Sequence, residues 1–554
     1  MEQHTAVRAV PGTGQMLSLG ELLRVRAAEL PDRAYLTVSG RGFTFAELDA
    51  RSDAVASALH ANGVRAGDRV ALLTPNRPEV AELFFGLAKL GAIQVPLNAA
   101  LKGDFLRYQL SQSGASIVVV DAECACALAP VLPGLTDLRL CVLLDGGRGG
   151  GELVGIEWTS YSEFVTTSAK TPRVTVNPSD TMTIMYTSGT TGFPKGCLLS
   201  HGYYQRAALA VGRGVEVTEH DVLFTTLPMF HAAAMFSSLI GGLVYAIPAV
   251  IEPAFSARNF MTRAAEVNAT VAFAVGAMGN ALLATPPSPA DRAHRLRTMV
   301  VAPLAPQSQQ AFRDRFGIIP HGQMYGQTEC MPITCTRLSD ARDMAGCGAP
   351  VDDLELALLD DDDRPVPRGQ VGEIAIRPRD RFVMFDGYWD QPDATLRAFR
   401  NLWYHTGDSG RFLPSGQLEF IDRRKDALRR RGENISSMQV EAAIRAHPKV
   451  VDVAVHGVAS ALSEDDVKAC IVLAEGAAIT PEELFAFFCE QVPSYAIPRY
   501  VEFLDDLPRT AVGRVMKYRL RERPVDENVW DFEGAQRIPA GETQQSMRQE
   551  ARKT

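Results

Sequence analysis

Short apolar runs and helix-period segments alternate through the first two thirds of the chain. Arg69–Leu73 reads as a strand, Pro78–Leu90 carries its apolar residues at helical spacing, and residues 92–97 and 116–120 return to continuous apolar runs. That alternation predicts parallel strands joined by helices. Residues 232–251 hold no charge and are long enough to cross a bilayer on length alone. Ser237, Ser238, Gly241, Gly242 and Pro248 interrupt the stretch, so a buried helix followed by a buried strand is expected. The Gly-rich patch at 146–151 predicts a surface loop. At 422–426 the texture becomes a charged connector, and a compact pattern follows from 440 to 518, which predicts a small α+β domain on a hinge. From 524 onward the composition is polar with three anchors, Val529, Trp530 and Phe532, and a mobile end is expected.

Composition narrows the function. With 554 residues, 46% of them apolar, the chain is neither disordered nor fibrous. A net charge of -9 without a basic cluster argues against a nucleic-acid partner. Nine cysteines show no CxxC pair and no histidine at zinc-ligand spacing, so reduced thiols are expected. The first residues carry no apolar run after their charges, and the combined expectation is a cytoplasmic protein without a membrane span.

The chemistry concentrates after the apolar run 181–186, where Thr187, Ser188, Gly189, Thr190, Thr191, Gly192, Phe193, Pro194, Lys195 and Gly196 follow in order. Hydroxyls, glycines and a lysine at this density can turn N–H, O–H and ammonium donors toward phosphate. The spacing does not fit the GxxxxGK[ST] loop, because Gly189 and Gly192 stand too close and no Ser or Thr follows Lys195.

This segment resembles the phosphate-binding loop of the adenylate-forming superfamily of acyl-CoA synthetases, peptide-synthetase adenylation domains and luciferases. The resemblance continues in order through Leu227-Pro228-Met229-Phe230-His231, Tyr325-Gly326-Gln327-Thr328-Glu329 and Trp403-Tyr404-His405-Thr406-Gly407-Asp408. It implies that Tyr325 covers the adenine beside Ala302 and Pro303, Thr328 contacts the α-phosphate, and Glu329 holds magnesium when adenylation occurs. Asp408 and Arg423 would grip the ribose, and His231 would gate the carboxylate. Phe230, Gly276, Gly326 and Gly432 fall on the acid and CoA side. The implied fold is α/β, with a large N-terminal domain of layered sheets and helices (1–424) containing a β-barrel-like part. A small hinged C-terminal α+β domain (425–525) turning about Lys425 and a polar tail (526–554) would follow. The implied reaction joins a carboxylate to the α-phosphorus of ATP, releasing pyrophosphate, and a thiol then displaces AMP. The segment 422–441 looks most like carnitine/crotonobetaine-CoA ligases, which favours CoA as the thiol. The residues 275–281 are small and apolar and suit a bulky apolar acid better than a quaternary ammonium.

One departure stands out. Where the family carries a lysine at the end of the small domain, this chain has Arg514. A guanidinium fork is not interchangeable with a compact ammonium at a crowded reacting centre. Misplacing such a contact costs ~10² to 10³ in rate. The expectation is weak adenylation with intact thioesterification, acyl-AMP coming from another enzyme. Val301, where relatives often carry glycine, points the same way; Lys517, one helical turn on from Arg514, offers a substitute cation. A complete ligase and a non-catalytic adenylate-binding protein remain as alternatives.

Overall fold

The computed structural model describes residues 16–145, 156–166, 173–187, 193–423, 427–460, 464–508, 515–526, 528–533 and 536–537. The Gly-rich patch at 146–151 lies outside them, as do Lys425 and Arg514.

Two seven-stranded sheets dominate. The first runs in the order Glu157–Ser160, Leu140–Leu143, Ile117–Val120, Arg69–Leu73, Ile93–Leu97, Thr181–Thr187, Lys195–Ser200. Its pairs are parallel except the last, which is antiparallel. The second has the same plan, from Ile319–His321 through Thr298–Ala302, Val271–Val275, Leu223–Thr225, Ala249–Ile251 and Ala34–Val38 to the antiparallel edge strand Arg41–Thr44. Strands buried on both faces read as unbroken apolar runs, which is why Arg69–Leu73 and the helix Pro78–Leu90 were legible at their true boundaries. One core joins the sheets through Leu36, Val70, Ile117 and Val271.

The uncharged stretch 232–251 forms the turn Ala232–Ala234, a π-helical turn Met235–Leu239, the helix Ile240–Tyr245 and the buried strand Ala249–Ile251. Ala246 in the left-handed region ends the helix ahead of Pro248. Among the described residues no helix is long and apolar enough to cross a membrane.

A five-stranded antiparallel sheet takes the place expected for the barrel-like part. It contains Leu354–Leu359, Gly372–Pro378, Phe399–Arg400, Trp403–Phe412 and Leu418–Arg423. The smaller C-terminal domain begins with the hairpin Ala427–Arg430 and Glu433–Ser436, followed by the helix Ser437–Arg445. Its sheet runs Val450–Ala459, Asp465–Leu473, Tyr500–Phe503, Val529–Asp531, Gln536–Arg537. The last two strands correct the expectation of a polar tail from 526. Val529 is fully buried and the strand around it covers the edge of Tyr500–Phe503, so Val529 and Trp530 are sheet residues and Phe532 follows in the turn.

Candidate functional site

The parallel strands of the second sheet end at a cavity of about 1220 Å³, as the crevice beyond strand carboxyl ends requires in open α/β sheets. Val275, Ala302 and Pro303 follow two of those strands onto its wall, and Leu227, Pro228 and His231 follow a third.

The polar half is built by the ribbon Met324–Gln327 with Cys330–Cys335 and by the long strand Trp403–Phe412. Tyr325, Gly326, Thr328, Glu329 and Asp408 all face this cavity. Asp408 is 4% exposed, and its Oδ2 accepts from Tyr325 Oη at 2.7 Å and Gln327 Nε2 at 2.8 Å. Two donors on one oxygen of this buried carboxylate fix its orientation. Burial and the Asp408 charge push the Tyr325 phenol far above its ordinary range, so it stays a donor. Gly407 turns the strand through φ 74°, and its N–H donates to Glu373 Oε1 at 3.2 Å. Arg423 is the cross-strand partner of Asp408.

Glu329 occupies a second corner. Tyr388 Oη donates to its Oε1 at 2.8 Å, and Lys195 Nζ lies 4.6 Å from the centre of the Tyr388 ring. Burial raises the Glu329 carboxyl, while the Tyr388 hydrogen bond and the Lys195 charge oppose that rise. Thr187 and Lys195 are cross-strand partners and both line the cavity, so the ends of the phosphate loop are anchored at it. Ser188, Gly189, Thr190, Thr191 and Gly192 lie outside the described residues. Thr328 is on the wall, and its carbonyl accepts from Tyr203 Oη at 2.9 Å.

The walls from 232–237 and 273–278 are apolar apart from Ser237, with Ala232, Ala233, Phe236, Phe273 and Met278 exposed to the cavity. The π turn places the consecutive Phe236 and Ser237 on one wall.

Two residues assigned to the acid and CoA side lie off the cavity wall. Gly276 is not on the wall: a Cβ there would overlap the Pro303 carbonyl oxygen, so its glycine serves the close packing of strand end against strand end. Phe230 is also absent from the wall and packs its ring 4.9 Å from that of His231. Val301 points into the core, where it meets Gly279, and its neighbours Val300 and Ala302 face the cavity by strand alternation. Gly326 keeps its place, with no room for a Cβ beside Met331 Sδ.

The small domain closes the cavity. The hairpin turn has Arg431 at φ 55° and Gly432 at φ 83°, and a Cβ on Gly432 would stand 3.1 Å from Val275 Cγ2. Glu433 Oε2 lies 3.0 Å from His231 Nε2. Lys517 is committed within the small domain, 2.7 Å from Glu441 and donating to Ser437 Oγ at 2.8 Å. Glu433, Tyr388, Gln327 and Glu373 were not singled out from the sequence. Gln327 sat inside a motif of the large domain and Glu433 inside the 431–436 segment expected to turn toward the site, but the contact of Glu433 with His231 spans 202 positions and leaves no local trace.

Known proteins can be set beside this geometry. Residues 23–389 match the AMP-binding enzyme family, and residues 439–514 match the AMP-binding enzyme C-terminal domain. A crotonobetaine/carnitine–CoA ligase of Salmonella paratyphi A is 33% identical over 485 residues, 87% of this chain and 93% of the relative. A double mutant of o-succinylbenzoate CoA synthetase from Bacillus subtilis, bound with its product analogue OSB-NCoA, is 26% identical with a TM-score of 0.79, covering 91% of this chain and 98% of that one. The same synthetase in complex with AMP, at the same identity and coverage, gives 0.64. This chain's arrangement is thus nearer to the first of those two complexes. On the family match, the identity of its relatives and the shared fold, the chain belongs to the adenylate-forming family of AMP-binding enzymes.

Proposed function

We propose that this chain is an acyl-CoA ligase that passes a bulky, mostly apolar acid from its adenylate to CoA. Its own adenylation step is weakened by Arg514, and a separate adenylating enzyme supplies the acyl-AMP. The carrying observation is the hairpin turn at 431–432 set into the cavity mouth, with Glu433 against His231. That placement suits the thiol-transfer step, in which the CoA sulfur bonds to the acyl carbon, the carbon–oxygen bond to phosphate breaks, the thiol proton is lost and AMP leaves. The better superposition on the CoA-analogue complex supports the same reading. Rotation about Lys425 would exchange this arrangement for the adenylating one. In the arrangement described here Lys517 is held by Glu441 and Ser437, which argues against its standing in for the family lysine.

In this reading the nucleotide would lie against Tyr325 and Asp408, with Thr187 and Lys195, which line the same cavity, beside its phosphates. Where ATP is used, Glu329 is the residue that would hold magnesium, which supplies positive charge beside the phosphates. No group of three metal-binding side chains occurs among the described residues, so phosphate oxygens and water would complete its shell. The acid lies against 232–237 and 273–278. That wall is apolar apart from Ser237, with Phe236 and Phe273 as its aromatic members, which suits a bulky apolar acid.

A complete ATP-dependent ligase is the second reading, favoured by Lys195 and Glu329 both facing the cavity. The test offers wild type and Arg514→Lys a panel of aryl and branched apolar acids with ATP and CoA, and in parallel the preformed adenylates with CoA. Product from the adenylates alone, with ATP use gained in Arg514→Lys, is expected. Equal ATP turnover by both proteins overturns the weakened step, and no product from any adenylate overturns the ligase reading.

A further inference from the structure

The segment after residue 526 does more than finish a sheet. Strand Val529–Asp531 pairs with Tyr500–Phe503, and the Phe532 N–H donates to the Arg499 carbonyl at 2.9 Å. The next residue, Glu533, is fixed by its own N–H donating to Asp531 Oδ1 at 2.9 Å. Its Oε1 lies 2.7 Å from Arg430 Nη2 and 2.6 Å from Arg431 Nη2, so one carboxylate bridges the two arginines that lead into the hairpin turn.

The turn needs such support. Both central residues have positive φ, the form of a two-residue hairpin that glycine or asparagine ordinarily occupies. Gly432 meets the requirement without strain, but Arg431 carries a side chain in the left-handed region. The surroundings are also crowded with like charge. Arg430, Arg431 and Arg499 cluster here, and the carboxylates facing them are Asp466, Asp531 and Glu533. Two of those three come from the C-terminal segment, and among the described residues Glu533 is the one whose carboxylate pairs with Arg431. On the other side of the turn, Glu464 accepts from the Gly432 N–H at 3.0 Å. The Arg430 side chain is 6% exposed, whereas Glu533 is 42% and Arg431 61% exposed, so water and salt reach the bridge from the Glu533 side.

We infer that Glu533 is a positioning residue for thiol transfer: through Arg430 and Arg431 it holds the 431–432 turn at the cavity mouth, where Gly432 meets Val275 and Glu433 meets His231. This rests on the acyl-CoA ligase reading, but its first test does not. Hydrogen exchange of the full-length protein, followed by mass spectrometry, compares wild type, Glu533→Gln and Glu533→Asp over residues 427–436. Exchange about ten times faster in Glu533→Gln, recovered in Glu533→Asp and unchanged over Trp403–Phe412, is expected. The second test measures acyl-CoA formation from a preformed acyl-adenylate. Glu533→Gln is expected to lower kcat/KM for CoA about tenfold with the adenylate Kd unchanged, and added salt should bring wild type toward the variant. Unchanged exchange at 427–436 overturns the inference, as does a wild-type rate in Glu533→Gln. A wild type that makes no acyl-CoA overturns the ligase reading, and the exchange result still decides the role of Glu533.

Discussion

His231 Nε2 and Glu433 Oε2 meet at 3.0 Å across 202 positions of sequence, joining the cavity wall of the large domain to the hairpin of the small one. His231 is 38% exposed and Glu433 17%, so the pair contributes little to global stability and its value lies in where it holds the hairpin. Glu433→Gln is expected to slow acyl transfer to CoA about tenfold, to leave the affinity for an acyl-adenylate within about twofold, and to shift the melting midpoint by less than about 2 °C. Stopped-time product assays and calorimetry check this. An equal loss of adenylate affinity would place Glu433 in adenylate binding instead.

Asp408 accepts two part-buried hydrogen bonds on one oxygen, and its removal strands both donors. Asp408→Ala leaves Tyr325 Oη and the second bond of Gln327 Nε2 without their acceptor, at about 1 to 3 kcal/mol of local stability. AMP affinity is expected to fall by about 10- to 100-fold, measured by titration calorimetry. Unaltered AMP binding would remove Asp408 from the nucleotide site.

Gly276 and Phe230 separate two kinds of closeness to the site. Gly276→Ala has to displace the Pro303 backbone, so overpacking of about 1 to 3 kcal/mol and loss of most AMP affinity are expected. Phe230→Ala touches no wall and is expected to change AMP and acid affinity by less than about threefold. Nucleotide titrations of both variants decide the matter, and a tolerant Gly276→Ala would contradict the packing described here.

Much of this was legible in the sequence, for reasons that differ residue by residue. Arg69–Leu73 and Pro78–Leu90 declare themselves because a doubly covered strand is continuously apolar and its crossover helix keeps a 3.6-residue period. Tyr325, Thr328, Glu329, Lys195 and Asp408, drawn from separate motifs, line the same cavity. Gly276 was misplaced because a glycine required for backbone packing and one required by a ligand look the same in a string of letters. That Val301 turns into the core while Val300 and Ala302 face the cavity follows only from knowing which sheet face is covered. The strand Val529–Asp531 is three residues long, too short for a period, and only the open edge of Tyr500–Phe503 explains it. Glu433 and Tyr388 act through contacts that folding alone creates.

Stability toward acid follows from two buried imidazoles. His201 is fully buried, and its Nδ1 accepts from the Leu19 N–H at 3.2 Å, so the neutral tautomer carries its proton on Nε2. Burial lowers its pKa to about 4, against a raising influence from Asp180. His456 is also brought down to about 4, by burial first and by the nearby Lys468, Arg521 and Lys517 charges, while a hydrogen bond to the Gly457 backbone opposes the fall. A histidine with a folded pKa below its unfolded value of about 6.5 binds fewer protons when folded, so stability rises with pH through that interval. Each contributes on the order of 3 kcal/mol that is fully present above pH ~6.5 and is lost progressively as the pH falls toward 4. Burial lowers His294 and His321 as well and adds to the same slope. The raised carboxyls Glu329 and Asp386 act in the opposite sense, since protonation favours their folded forms. Paired carboxylates held low, such as Asp221 beside Arg297, withdraw their support only below about pH 4. The melting midpoint is therefore expected to be level between pH 7 and 8 and to fall steadily from 6.5 to 4. His201→Asn, which keeps an acceptor for Leu19 without a titrating ring, should shallow that fall. Calorimetry of wild type and variant at half-unit pH steps checks the sign, and parallel curves for the two proteins would show that His201 is not a source of the slope.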